Sequence, residues 1–338
     1  MNDDYLWDGS GAPDPEVQRL ENLLGRLRHD RPAPEFAMPA RAPRRLLWRI
    51  WIPAFATAAA LLLALGIWRL LRPAGPVSGW EVASLEGAPR ADNRPLRKES
   101  RLRPGQWLET DSVSRVSLAV DGLGRVDVEP NTRLRLLRAS ETEQHLQLDR
   151  GTVHADVTAP PYVFLTRTPS AYALDMGCSY TIHVDNDGAG ILRVTLGWVE
   201  FQHGYLQSLV PAGAASETQP GIGPGAPYFE DSSDAFRNAL HIVNFSLSDP
   251  QARSVALGTV LSEARPHDAF TLLNLFRRVE PADRGRLYDR LAALLPPPSG
   301  VTRQSAVEGN WSRLDPWWPK LGLGNAKKGM KSPPLVEE

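Results

Sequence analysis

The sequence holds one cysteine, Cys178, in 338 residues. An intramolecular disulfide is therefore excluded, and so is any zinc site built from several thiolates. Net charge is nearly absent as well: 38 Lys and Arg against 39 Asp and Glu leave a formal −1. That balance disfavours a surface committed to nucleic-acid phosphates. Lysine is scarce, with Lys98, Lys320, Lys327, Lys328 and Lys331 as the whole complement, so the basic residues are overwhelmingly arginine. Catalytic signatures are missing too. There is no phosphate-cradling loop, no Gly-x-Gly-x-x-Gly after a strand, no His-Glu-x-x-His and no Gly-x-Ser-x-Gly. With no catalytic constellation and no call for a cofactor or resident metal, the chain reads as a non-enzyme.

Charge is also absent locally, over the 19 residues from Ile50 to Trp68. At about 1.5 Å per residue, a helix of that length matches the hydrocarbon core of a bilayer. Trp48, Trp51 and Trp68 stand at its ends, where indole rings favour the headgroup region. Arg31, Arg41, Arg44, Arg45 and Arg49 precede the run, while only Arg69 and Arg72 follow closely. The positive-inside rule then puts residues 1–45 in the cytoplasm, a transmembrane helix over 46–71 and the rest outside. This describes a single-pass membrane protein with its C-terminal domains on the far side of the membrane.

The cytoplasmic tail carries one patterned segment. Asp14 is a helix cap, Pro15 fits the first helical position and Glu16 favours the first turn. Val17, Leu20, Leu24 and Leu27 recur at helical spacing and would share one face over Asp14–Arg28. A helix this short is marginal alone in water, so its apolar face needs a cover. That cover is a partner protein, a second copy of the helix or the membrane surface. Trp7, Val17, Leu20, Leu24 and Leu27 are the candidate partner-binding residues.

Beyond a hinge over 72–78 the period changes to two. Val116, Leu118 and Val120 alternate with small residues before Asp121-Gly122, and Val126 with Val128 continues the theme. Leu134/Leu136, Leu146/Leu148, Ile182/Val184 and Val199/Phe201 repeat it. Residues 79–222 thus read as an all-β domain, sandwich or β-solenoid-like. The Pro-, Gly- and Ala-rich stretch 211–228 reads as a linker. From there the spacing is helical: Phe236/Leu240/Val243, Phe270/Leu273/Phe276 and Leu287/Leu291/Leu294 predict an α-helical domain over 228–322. Helix starts fall at Asp249-Pro250, Pro266 and Pro281, and four helices with short loops are expected. Residues 323–338 are polar, with Pro333-Pro334, and read as a disordered tail.

Several polar groups invite chemistry. His154-x-Asp156 and His183-x-Asp185 each put imidazole and carboxylate on one strand face, a metal site if the strands are neighbours and solvated faces otherwise. Asp185-x-Asp187-Gly188 is a hairpin turn rather than a calcium loop. Cys178 is either a small buried hydrophobe or an external redox thiol. Trp317-Trp318 is core, or a stacking surface.

The β segment resembles the FecR domain, the periplasmic sensing module of bacterial inner-membrane sigma-factor regulators. The resemblance runs through Leu102-x-x-Gly105-x-Trp107-Leu108-x-Thr110, Ser114-Arg115-Val116-x-Leu118 and Asp121-Gly122. It continues in Val126-x-Val128-x-Pro130-Asn131-Thr132-x-Leu134 and Leu146-x-Leu148-x-x-Gly151-x-Val153. Thr168-Pro169-x-Ala171, Gly177-x-x-Tyr180 and Val194-x-x-Gly197-x-Val199 complete it. Cys178, Tyr180 and Leu196 depart from the family's usual Thr, Phe and Glu. The resemblance implies a sensor that responds to an outer-membrane or periplasmic signalling protein. It also implies a cytoplasmic tail that controls an extracytoplasmic-function sigma factor. The competing expectation is a periplasmic envelope scaffold, or a module binding cell wall or protein, with no sigma-factor role.

Overall fold

In a computed structural model, residues 15–27, 79–204 and 206–322 are described. The chain divides into two units, one within Met1–Pro73 and one within Ala74–Glu338. Residues 46–71, Trp7 and the tail 323–338 lie outside the described residues. Among those described, no helix is long and apolar enough to cross a membrane.

The first unit shows helix α1 (Pro15–Leu24), continued by one 3₁₀ turn over Gly25–Leu27. The Pro-Glu start and the run of leucines produce the helix where the sequence predicts it. None of its residues is buried.

The second unit begins with a β domain of two sheets. In the first sheet β4 (Arg101–Leu102) pairs with β1 (Trp80–Glu86), then β6 (Arg115–Val120), β7 (Gly124–Val128) and β9 (Gln144–Val157). It continues through β12 (Cys178–Val184), β13 (Gly190–Leu196) and β16 (Ala214–Gln219), with β17 (Gly223–Pro224) and β18 (Tyr228–Phe229) at its end. The second sheet runs β3 (Arg94–Pro95), β2 (Arg90–Ala91), β5 (Trp107–Glu109), β8 (Arg133–Ala139) and β9 again. From there it passes to β10 (Phe164–Arg167), β11 (Tyr172–Asp175), β14 (Trp198–His203) and β15 (Leu206–Pro211). Strand β9 belongs to both sheets, its first half to the second and its last half to the first. The inward residues of both sheets form one apolar cluster, including Trp80, Leu118, Leu134, Leu148, Val153, Phe164 and Phe201. The strands join through β9 into one large, mainly antiparallel half-barrel rather than two separate facing sheets, so the expected sandwich is not what forms, and the solenoid alternative does not fit either. Solenoid rungs run parallel, whereas here the one parallel pairing among the described strands is β9 with β10.

Gly151 makes the crossing of β9 feasible. Its φ is +93°, and a Cβ there would come within 2.4 Å of the Thr132 Cα. That proximity lets Thr152 N–H donate to Thr132 Oγ1 at 3.0 Å, while Thr132 N–H donates to Thr110 Oγ1 at 2.9 Å. Thr110, Thr132 and Gly151, prominent in the FecR-like pattern, therefore tie the residues just after β5 and just before β8 to the middle of β9. Their role is architectural.

Helices α2 (Asp234–Phe245), α3 (Pro250–Glu263), α4 (Ala269–Leu275) and α5 (Arg284–Leu294) follow in the order expected, with two short helices beyond the four predicted. Asp249 caps α3 by accepting from Ala252 N–H, with Pro250 in the first turn. Pro266 and Pro281 open a 3₁₀ turn ahead of α4 and α5 rather than the helices themselves. Short helices α6 (Arg303–Val307) and α7 (Trp311–Leu314) lead into a 3₁₀ segment, Asp315–Leu321. Phe236, Leu240, Leu257, Leu272, Leu287, Leu291 and Trp317 form a second core that includes Ala215, Ala226 and Tyr228 of the β side.

The linker expected over 211–228 is a correction. The stretch contains β16 and β17 and begins β18, and Ala214, Ala215, Ala226 and Tyr228 are buried. Small residues are needed because α2 lies close. A Cβ on Gly225 would come within 2.7 Å of Asn244 Nδ2. Instead Ala226 N–H donates to Asn244 Oδ1, and Ser208 and Ser216 hydroxyls donate to the Gly225 carbonyl. Glycine and alanine here mark close packing between sheet and helix.

Candidate functional site

The apolar face of α1 is open. Leu20, Leu23, Leu24 and Leu27 are 57%, 63%, 58% and 79% exposed, and Val17 is intermediate. All four sequence-predicted helix positions fall in the helix or its 3₁₀ extension; Trp7 is outside the described residues. Leu23 was missed because it breaks the stripe assumed from Val17, Leu20, Leu24 and Leu27. It lies three residues after Leu20 and four before Leu27, so it shares their side. Burying a leucine fully contributes about 1.5–3 kcal/mol. The face thus holds driving force for being covered, and a ten-residue helix is marginal alone in water.

The polar groups of the β domain sort differently. Strands β9 and β12 are indeed neighbours, but His154 lies opposite Thr181 and His183 opposite Thr152. Each imidazole Nδ1 meets the threonine hydroxyl across from it at 2.7 Å. The histidines are diagonal, and no group of three ligating side chains suited to a metal is found among the described residues. Arg133 and Arg135 flank the Trp107 ring, 4.2 and 5.6 Å from its centre, on the exposed side of β8 and β5.

Cys178 is buried, and its thiol donates to Asp175 Oδ2 at 2.8 Å. Burial and the Asp175 carboxylate push the thiol pKa up, so the thiolate needed for redox chemistry is suppressed. Asp175 is itself fully buried, and desolvation pushes its pKa up to about 6, against hydrogen bonds from Cys178 and Gly177. Tyr180 sits beside this pair and donates to or accepts from Thr166 Oγ1 at 3.0 Å; burial raises its pKa well above the ordinary value. On β14, burial also raises Glu200, which accepts from Tyr162 OH at 3.4 Å. These groups form a buried acid–thiol–phenol cluster. Sequence reasoning picked out Cys178 but not Asp175, whose neighbours give no local sign of burial.

In the helical layer, Trp317 is fully buried and its Nε1–H donates to the Leu295 carbonyl at 3.1 Å. Trp318 is half-buried, edge-on to Phe270 with ring centres 6.2 Å apart. The adjacent tryptophans therefore divide, one into the core and one towards the surface.

No protein-family model matches the chain, and no curated protein does. Among solved structures, two crystal structures of a candidate anti-sigma factor from Parabacteroides distasonis ATCC 8503 are similar in part. Each has a TM-score of 0.33, with 16% and 15% identity, over 39% of this chain. The chain spans 63% and 62% of the length of those proteins.

Proposed function

We propose that the protein is a single-pass inner-membrane regulator. Residues 46–71 cross the bilayer, and the β domain with its helical layer senses a signalling protein or ligand in the periplasm. The leucine face of α1 grips an extracytoplasmic-function sigma factor in the cytoplasm. The observation that carries this reading is the open face of Leu20, Leu23, Leu24 and Leu27 on a helix with no buried residue. The charge-free run Ile50–Trp68 and its arginine asymmetry support the topology. Signalling then asks for little energy: a signal that favours one of two tail states by a few kcal/mol redistributes them.

The testing experiment is a bacterial two-hybrid assay pairing residues 1–45 with the sigma factors of the source bacterium. A specific pair that Leu23→Asp abolishes is the expected result. Absence of any sigma-factor pair, with the tail instead pairing with itself, would replace the regulator by an envelope scaffold whose tail only dimerises.

A further inference from the structure

The outward face of the second sheet carries one straight row of side chains. Trp107 on β5 lies opposite Arg135 on β8, Arg135 opposite Gln147 on β9, Gln147 opposite Arg167 on β10, and Arg167 opposite Tyr172 on β11. Directly opposed residues point to the same side of a sheet, so the five share one face. Arg167 is exposed and the other four are half-buried. Four strand steps of about 4.8 Å make the row about 19 Å long. A guanidinium stands 5.6 Å from the ring centre at each end, Arg135 by Trp107 and Arg167 by Tyr172, with the Gln147 amide between them.

On either side of the row the arginines of β8 have counter-charges. Arg133 meets Glu109 at 3.0 Å and Asp149 at 3.3 Å, and Arg138 meets Glu143 at 2.6 Å. Along the row, among the described residues, Arg135 and Arg167 meet no carboxylate; Arg135 donates to the Gly105 carbonyl at 2.9 Å, a neutral partner. Beyond Trp107 the face dips into an open cleft of about 290 Å³, lined also by Arg90, Asp92, Asn93, Glu109 and Arg133. There the Trp107 N–H holds the Asp92 carboxylate, donating to Oδ1 at 3.0 Å.

A line of amide, guanidinium, indole and phenol groups, ending in a cleft that adds carboxylates, offers donors and acceptors to a chain of hydroxyl-bearing rings. Its two cations without counter-charge ask for carboxylates on that chain, since guanidinium–carboxylate contacts are among the strong hydrogen bonds. We propose that this row binds an acidic polysaccharide, laid across β5, β8, β9, β10 and β11 with its carboxylates on Arg135 and Arg167. Two other polymers fit less well. A nucleic acid brings a charge with every nucleotide, against two cations here, and its phosphates would meet Asp92 and Glu109 at the Trp107 end. A protein partner needs an apolar centre to its interface, and the row has no aliphatic side chain. The surface belongs to the second unit alone and stands whether or not the tail binds a sigma factor.

The test is calorimetric titration of the full chain in zwitterionic lipid nanodiscs with hexagalacturonate, with empty nanodiscs as the blank. Sub-millimolar binding is expected, with the neutral methyl ester and monomeric galacturonate each weaker by about tenfold or more. Arg167→Gln is expected to weaken hexagalacturonate about tenfold without moving the thermal midpoint, and Tyr172→Leu to weaken it by a similar factor. Arg125→Gln, at an exposed arginine of β7 in the other sheet, is expected to leave the affinity unchanged. Absence of binding, equal binding of the methyl ester, or an affinity unaltered by both Arg167→Gln and Tyr172→Leu overturns the proposal. An equal loss in Arg125→Gln also overturns it, because the attraction would then be to charge in general. So does tighter binding of oligothymidylate through Arg167 and Tyr172, which would make the ligand a nucleic acid.

Discussion

Helix α1 and helix α5 carry leucines at the same three-to-four-residue spacing, and their fates are opposite. In α5, Leu287 and Leu291 are fully buried in a core shared with Trp317 and Val301. In α1, Leu20, Leu24 and Leu27 are all more than half exposed. Periodicity therefore announces an apolar face and is silent about what covers it. In α5 the cover is supplied by the same unit; in α1 no residue is buried.

That contrast can be broken at its buried end first. Trp317→Ala removes a large side chain and orphans the Leu295 carbonyl, and a loss of about 3–5 kcal/mol is expected in urea unfolding. A loss under about 1 kcal/mol would mean that the helical layer is not held by this core.

The next effect is electrostatic and depends on pH. Asp175 moves from 3.8 to about 6 on folding, because burial favours its neutral form. The folded state therefore binds the proton more tightly, so this contribution to stability is complete below about pH 4 and is lost as pH rises through 6. At pH 7 the ionised, buried group costs up to about 3 kcal/mol. Asp175→Asn is expected to raise the midpoint at neutral pH and to flatten its fall between acid and neutral conditions. The raised pKa of Glu200 leaves a smaller slope of the same sign. An equally steep fall in the variant would place the titrating group elsewhere.

A backbone test follows. Gly151→Ala puts a Cβ into the Thr132 backbone at a φ that L residues rarely adopt, and about 1–3 kcal/mol of destabilisation is expected. The smallest effect belongs to the exposed face. Leu20→Asp with Leu24→Asp is expected to leave the unfolding of the second unit within about 0.5 kcal/mol of wild type.

Strand positions with strict alternation were legible: Val116, Leu118 and Val120 of β6, and Ile182 and Val184 of β12, face the core as their period implies. The helices of the second unit were legible from proline starts and spacing. What was hidden has physical reasons. The stretch 211–228 looked like a linker because glycine and alanine signal both freedom and close approach, and only the neighbouring Asn244 distinguishes them. Asp175 was invisible because its burial is imposed by strands distant in sequence. On the tail, the helix was readable, and Val17, Leu20, Leu24 and Leu27 fall in it or its 3₁₀ extension, while the place of Leu23 on the same side needed the helix in three dimensions.

The most direct measurement is capture of a sigma factor by the full chain, wild type against the Leu20→Asp, Leu24→Asp double variant. Capture reduced about tenfold or more, with the second unit's unfolding unchanged, is the expected result. Equal capture by the double variant would contradict a regulatory role for the leucine face of α1.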